Sequence, residues 1–204
     1  MLAIIDYNMG NLRSVAKAFD FLNVETRVTN KPSEILAADH LVLPGVGAFK
    51  EGMNNLRKLG LVDILSKEVL ERKKPILGIC LGMQLFARDS QEFGHSNGLG
   101  WIDASVVPFE FESVEYKVPH VGWNSVIFEN ENLLFKNLNN NLDFYFVHSF
   151  YMNSREKVEI AVCEYGHKFT AAIQKGNIFA TQFHPEKSQA LGLRLLKNFM
   201  ELIK

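Results

Sequence analysis

The chain holds very little cysteine: two thiols, Cys80 and Cys163, in 204 residues. Two cysteines cannot build the disulfide framework of a small secreted domain. A reduced, cytoplasmic protein is the expectation, with thiols free for chemistry. No apolar run approaches the roughly 20 residues that span a bilayer. Met1-Leu2-Ala3-Ile4-Ile5-Asp6 is short, has no basic start and meets an acid at once. It reads as a first strand and not as a signal peptide. Charge of one sign is also missing: the net charge is −1, which argues against a broadly basic nucleic-acid surface. Repeats, low-complexity tracts and Pro/Ser-rich linkers are absent, so residues 1–204 are expected to form a single domain. No Cys/His pair has metal-ligand spacing, and no metal or cofactor is expected.

The first half alternates strand and helix signals. Residues 2–6 are a buried run. Leu12, Val15, Ala16, Phe19 and Leu22 follow at helical spacing. Val24 to Thr29 is β-rich, and Pro32 opens a short helix. His40–Leu43 is a strand stopped by Pro44-Gly45, residues 51–72 hold two helices divided at Gly60, and Pro75–Ile79 is another buried strand. A helix begins at Met83. This pattern predicts an α/β fold, with a flavodoxin-like, mostly parallel central sheet flanked by helices. From about residue 101 strands crowd together: Ser105–Phe109, Asn124–Phe128, Phe144–Val147, Val158–Tyr165, Phe169–Gln174 and Ile178–Phe183. They add antiparallel strands in the C-terminal half, with a hairpin turn at Gln174-Lys175-Gly176-Asn177. Gln91–Gly100 reads as an exposed loop. The last helix runs through Leu191, Leu195, Leu196, Phe199, Met200 and Ile203, with Ser188 as its N-cap.

Gly78-Ile79-Cys80-Leu81-Gly82 sits where a buried strand meets a helix. Flanking glycines remove the Cβ atoms that would obstruct a tight turn presenting a nucleophile. The helix start beyond it favours a thiolate. The plainer reading is a small buried hydrophobe at a strand end. Phe183-His184-Pro185-Glu186 closes the last strand, because Pro185 ends the ladder. If that strand lies beside the one ending at Cys80, His184 reaches the thiol and Glu186 holds the far ring nitrogen. Taken singly, His184 reads as a surface histidine and Glu186 as a solvated acid at a helix start. Three catalytic residue types at strand ends weaken those readings together.

Acyl transfer from an amide also needs N–H donors for the oxyanion. Leu81 can supply one. Pro44-Gly45-Val46-Gly47, leaving another central strand, can supply the second, although a plain strand-to-helix turn is the simpler reading. The loop lacks the lysine of a phosphate-binding loop.

Gly78-Ile79-Cys80-Leu81-Gly82-Met83-Gln84 with His184-Pro185-Glu186 resembles the triad, or class I, glutamine amidotransferases. The blocks Met9–Val15, Pro44–Phe49, Pro119–Asn124, Tyr145–Tyr151 and Gln182–Ser188 narrow this. They are similar to the glutaminase subunits of imidazole glycerol phosphate synthases over nearly the whole chain. Val121 stands where Met is the more usual residue, and Phe150 where Tyr is common; neither touches the triad. The resemblance implies hydrolysis of glutamine to glutamate and ammonia. The ammonia would pass to a (β/α)₈-barrel cyclase partner in a heterodimer. That partner forms imidazole glycerol phosphate and aminoimidazole carboxamide ribotide in histidine biosynthesis. By the same resemblance Cys80, His184 and Glu186 are the triad, and Val46, Gly47 and Leu81 frame the oxyanion. Gly45, Gln84, His148, Ser149 and Phe150 hold the substrate. Asn11, His120 and Trp123 face the partner, with Trp123 equally readable as packing on its own sheet.

Two other functions remain open at this level. A paralogous glutaminase could feed ammonia to the amination of a nucleotide sugar for surface polysaccharide, since acceptor specificity lies in the partner. A non-catalytic module on a flavodoxin-like scaffold would keep Cys80 as a structural residue.

Overall fold

The computed structural model describes residues 1–111, 115–128 and 132–202. Strands β1 (Leu2–Ile5), β2 (Thr26–Thr29), β3 (His40–Gly45) and β4 (Ile76–Cys80) are parallel. Helices α1 (Leu12–Phe21), α2 (Pro32–Ala37), α3 (Phe49–Lys58) and α4 (Leu61–Ser66) connect them, the last running on into a π-helical turn, Lys67–Glu71. Next come α5 (Leu81–Leu85), β5 (Ala87–Ser90), β6 (Ser96–Asn97) and β7 (Ile102–Pro108). Strands β8 (His120–Phe128), β9 (Leu142–His148), β10 (Phe150–Ser154), β11 (Glu159–Tyr165), β12 (His167–Lys175) and β13 (Ile178–Thr181) complete the sheets. A 3-10 turn, Pro185–Lys187, leads into α6 (Gln189–Glu201).

Among the described residues one sheet has nine strands, ordered β2-β1-β3-β4-β13-β12-β11-β8-β9. Its first half is parallel, and from β12 onward every pairing is antiparallel. A second sheet, β10-β7-β5-β6, is separate from it. Side chains alternate across the main sheet. Ala3, Ile5, Leu41 and Leu43 pack with α3 and α4 through Phe49, Met53, Leu56, Leu61 and Leu65. Leu2, Ile4, Val42, Leu77 and Ile79 pack on the other face, with Val15 and Phe19 of α1 and Leu195, Leu196 and Phe199 of α6. Helices on both faces explain why these strands read as unbroken apolar runs.

Several boundaries differ from the sequence reading. β3 continues through Pro44 and Gly45, because parallel pairing with Ile79 and Cys80 holds them in the ladder. The helix after Cys80 lasts only five residues before the chain turns into β5. Gln91–Gly100 contributes a short strand, Ser96–Asn97, paired to β5. Ser188 stands at the N-cap of α6 without a capping bond. Its hydroxyl donates instead to the His184 carbonyl at 2.7 Å and accepts from the Tyr145 N–H at 3.0 Å. Ile203 lies outside the described residues.

Candidate active site

The central strand order brings three chain segments to one edge. β4 lies between β3 and β13, with Gly45 opposite Cys80 and Thr181 opposite Ile79. The Gly-rich loop, the thiol and the His-Pro-Glu segment therefore leave the sheet side by side. This is the carboxyl edge at which open α/β sheets gather ligands.

Cys80 itself adopts φ 54° and ψ −108°. A β-carbon-bearing residue rarely enters that region, and strain of this kind persists at sites where a side chain must be aimed. The turn needs close backbone approach. A Cβ on Gly82 would collide with the Leu43 carbonyl oxygen, so only glycine lets α5 pack against β3. Because α5 has only five residues, its dipole offers less than the sequence suggested. Charge at Cys80 must come mainly from side chains.

His184 supplies it. Its Nδ1 donates to Glu186 Oε1 at 2.8 Å, and both side chains are 2% exposed. Burial pulls the imidazole toward the neutral form. The negative charge on Cys80 and a hydrogen bond to it, with the bond and charge of Glu186, together outweigh burial, so His184 is pushed up to about 10. The charged His184 ring, with the Glu186 carboxylate behind it, faces the Cys80 sulfur. Cys163 is the contrast: burial pushes that thiol up to about 12, which leaves it inert.

Around Cys80, Sγ is 3.8 Å from the Val147 carbonyl oxygen and 3.6 Å from Gln182 Nε2. Gln182 is fully buried. Gln84 Nε2 donates to the Phe150 carbonyl at 2.9 Å and to Gln182 Oε1 at 3.0 Å. Gln84, His148, Phe150, Cys80, His184 and Glu186 thus form one neighbourhood. The Ser149 carbonyl instead accepts from the Phe109 N–H. Tyr7 stands behind Gly45, where a Gly45 Cβ would strike its hydroxyl. That hydroxyl is buried without a hydrogen-bond partner. Burial, then the Cys80 charge, raise its pKa far above the ordinary tyrosine range. Neither Gln182 nor Tyr7 was singled out from sequence. The position of Gln182, one residue past the Thr181–Ile79 register pair, is the signal that finds it.

Other sequence candidates fall as follows. Gly47 has φ 116°, and Val46 is 45% exposed at the loop tip. Leu81 is buried at the start of α5. Asn11 is exposed and caps α1, accepting from the Ser14 N–H at 3.3 Å. Trp123 is 48% exposed. His120, expected at the partner surface, is 3% exposed and faces inward. Strand alternation puts Val121 and Trp123 outward on β8 and His120 on the opposite face. His120 Nδ1 lies 3.0 Å from His148 Nε2, and burial lowers the two rings to about 4 and about 3.

A model of the class-I glutamine amidotransferases matches residues 3–202, and the chain belongs to that family. It is 52% identical to the imidazole glycerol phosphate synthase subunit HisH 1 of Campylobacter jejuni subsp. jejuni serotype O:23/36 (strain 81-176), over 99% of this chain and 100% of that one. To HisH of Moorella thermoacetica it is 49% identical, over 100% of this chain and 95% of the relative. A crystal structure described as a glutamine amidotransferase superposes with TM-score 0.73, covering 98% of this chain and 97% of the other at 22% identity. The glutaminase domain of Trypanosoma brucei CTPS with bound acivicin gives 0.65 at 16% identity, over 98% and 93%. These two support the fold. Within the family, the full-length relatives make the chain a glutaminase subunit of histidine biosynthesis. They do not favour the nucleotide-sugar alternative.

Proposed function

We propose that this glutaminase works through Cys80, His184 and Glu186. The buried 2.8 Å His184–Glu186 pair, facing a thiol in a strained turn, carries the reading. The Cys80 thiolate attacks the side-chain amide carbon of glutamine, forming a C–S bond and a tetrahedral oxyanion. The donors for that charge in this reading are the Leu81 N–H and the loop of Val46 and Gly47. The C–N bond then breaks as the His184 imidazolium gives its proton to the departing nitrogen, which leaves as ammonia. Neutral His184 next takes a proton from water, whose oxygen cleaves the thioester to glutamate and restores the pair. Glu186 positions the ring throughout. Gly45, Gln84 and the backbone of His148, Ser149 and Phe150 hold the amino-acid end of the substrate.

The partner reading is a heterodimer with the barrel cyclase subunit, working in the cytoplasm. Among the described residues no helix is long and apolar enough to cross a membrane. Val118, Val121 and Trp123 are each about half exposed, an apolar group suited to a protein interface. Trp123 packs edge-on to Tyr145 at 6.1 Å between ring centres, and Lys187 Nζ lies 5.4 Å from that ring. The Tyr145 carbonyl accepts from the His184 N–H at 2.9 Å. A partner on Trp123 would thus sit close to where ammonia is released. Ammonia release from glutamine, measured with and without the barrel subunit and its nucleotide, tests this. Stimulation that is lost in Cys80→Ala supports it, and turnover unchanged in that variant overturns it.

A further inference from the structure

We propose that Gln182 is a further catalytic residue, whose side-chain N–H donates to Cys80 Sγ in an orientation set by the carbonyl of Phe150. The proposal rests on the reading of Cys80 as the nucleophile and adds a group that the triad does not include.

An amide side chain can present either its oxygen or its nitrogen to a neighbour, and the surrounding bonds decide which. Here one fixed acceptor decides. A carbonyl oxygen can only accept, so the Gln84 group 2.9 Å from Phe150 O is its nitrogen. The second hydrogen on that nitrogen points 3.0 Å away to Gln182, which must answer with Oε1. Gln182 Nε2 is thereby turned to Cys80 Sγ at 3.6 Å. Reversing the Gln182 amide would set N–H against N–H at Gln84 and oxygen against thiolate at Cys80. Both ends oppose the flip.

The carbonyl is itself held. In the β10–β7 ladder Phe150 stands opposite Pro108, which has no N–H to offer. Phe150 O instead receives the His148 ring, Nδ1 to oxygen 2.9 Å, beside the Gln84 nitrogen. With Nδ1 donating, His148 Nε2 accepts from His120 Nδ1, and His120 Nε2 accepts from Asn124 Nδ2 at 3.3 Å. This bond polarity requires both rings to be neutral, as their burial favours. Gln182, His148 and His120 are 0%, 6% and 3% exposed, so water does not compete for these bonds.

An N–H on a buried thiolate favours the ionised Cys80–His184 pair and aims Sγ before substrate arrives. The titratable groups facing Cys80 are His184, with Glu186 behind it, and Tyr7. None of the three replaces an amide donor.

The test uses the full chain and Gln182→Met, similar in length but without a donor. The rate of Cys80 alkylation by iodoacetamide is followed against pH, and glutamine turnover is measured with the barrel subunit present. The expected result is an alkylation curve moved to higher pH, with kcat lowered roughly tenfold and KM within about twofold. If the Met variant does not fold, Gln182→Glu retains the bond from Gln84 but sets an oxygen against Sγ. It should move the curve the same way. A folded variant of either kind with an unchanged pH curve and kcat overturns the proposal. Normal turnover in Gln182→Met with none in Cys80→Ala removes Gln182 alone. Turnover that survives Cys80→Ala removes the reading beneath it.

Discussion

Gly45 and Cys80 are direct register partners across the parallel β3–β4 pair. The loop proposed to hold the oxyanion and the nucleophile proposed to create it therefore leave the sheet at one height. Gly45→Ala tests that coupling. The new methyl would strike the Tyr7 hydroxyl and come within 2.8 Å of Leu81 Cβ and 3.1 Å of the Gly82 nitrogen. Loop and turn must separate. Glutamine kinetics should show kcat down by roughly a hundredfold, the scale of losing one oxyanion donor, with KM changed far less. A kcat within twofold of the parent would show that the loop takes no part.

Ionisation at His184 depends first on its neighbour. Without the Cys80 charge, burial pulls the imidazole downward and only Glu186 resists. In Cys80→Ser, nitrogen-15 NMR should show His184 titrating well below the wild-type position near 10. For stability the sign follows from a raised folded value. The pair's contribution is fully present below the unfolded value of about 6.5 and is lost as pH rises toward 10. Identical titration in the two proteins would mean that Cys80 is not its charge partner.

The opposite sign holds for His120 and His148. Burial lowers both, to about 4 and about 3. The unfolded chain binds protons that these sites refuse, so their contribution is present above about pH 6.5 and is lost as pH falls toward the folded values. Stability should drop between pH 7 and pH 5, by on the order of 1 kcal/mol per pH unit for each ring once below about 6.5, and the melting temperature should fall with it. A flat melting temperature over that interval would contradict the neutral, buried pair.

Tyr7→Phe should leave the protein at least as stable as the parent. The Tyr7 hydroxyl is buried without a partner, a cost of about 1–3 kcal/mol that phenylalanine does not carry. Thermal melts should show an equal or higher midpoint. A drop of several degrees would reveal a bond to that hydroxyl.

Trp123→Ala addresses the interface. The side chain is half exposed, so the isolated chain should melt normally while affinity for the barrel subunit falls by about tenfold or more. Unchanged affinity, read by titration calorimetry, would move the interface elsewhere.

The proposed triad was legible because its signals are local. Glycines flank Cys80, and His184-Pro185-Glu186 follows closely on an apolar strand run, although that strand ends at Thr181 and Pro185 opens the 3-10 turn instead. Alternating apolar strands and amphipathic helices also gave the parallel half. What stayed hidden depends on pairing between distant segments. Ala87–Ser90 becomes a strand through β6 and β7, and Phe150–Ser154 through β7. Nothing in their own residues competes with the neighbouring patterns. His120 was placed outward because its block resembles a partner-facing one, yet strand alternation turns it inward. Gln182 has no local mark; its role appears only once β13 lies beside β4.

The most direct test is to mix the chain and its barrel subunit with glutamine, quench in acid and analyse the peptides by mass spectrometry. The account predicts a glutamyl thioester on Cys80 and none on Cys163. Ammonia release without an adduct on Cys80, or with the adduct on another residue, would contradict it.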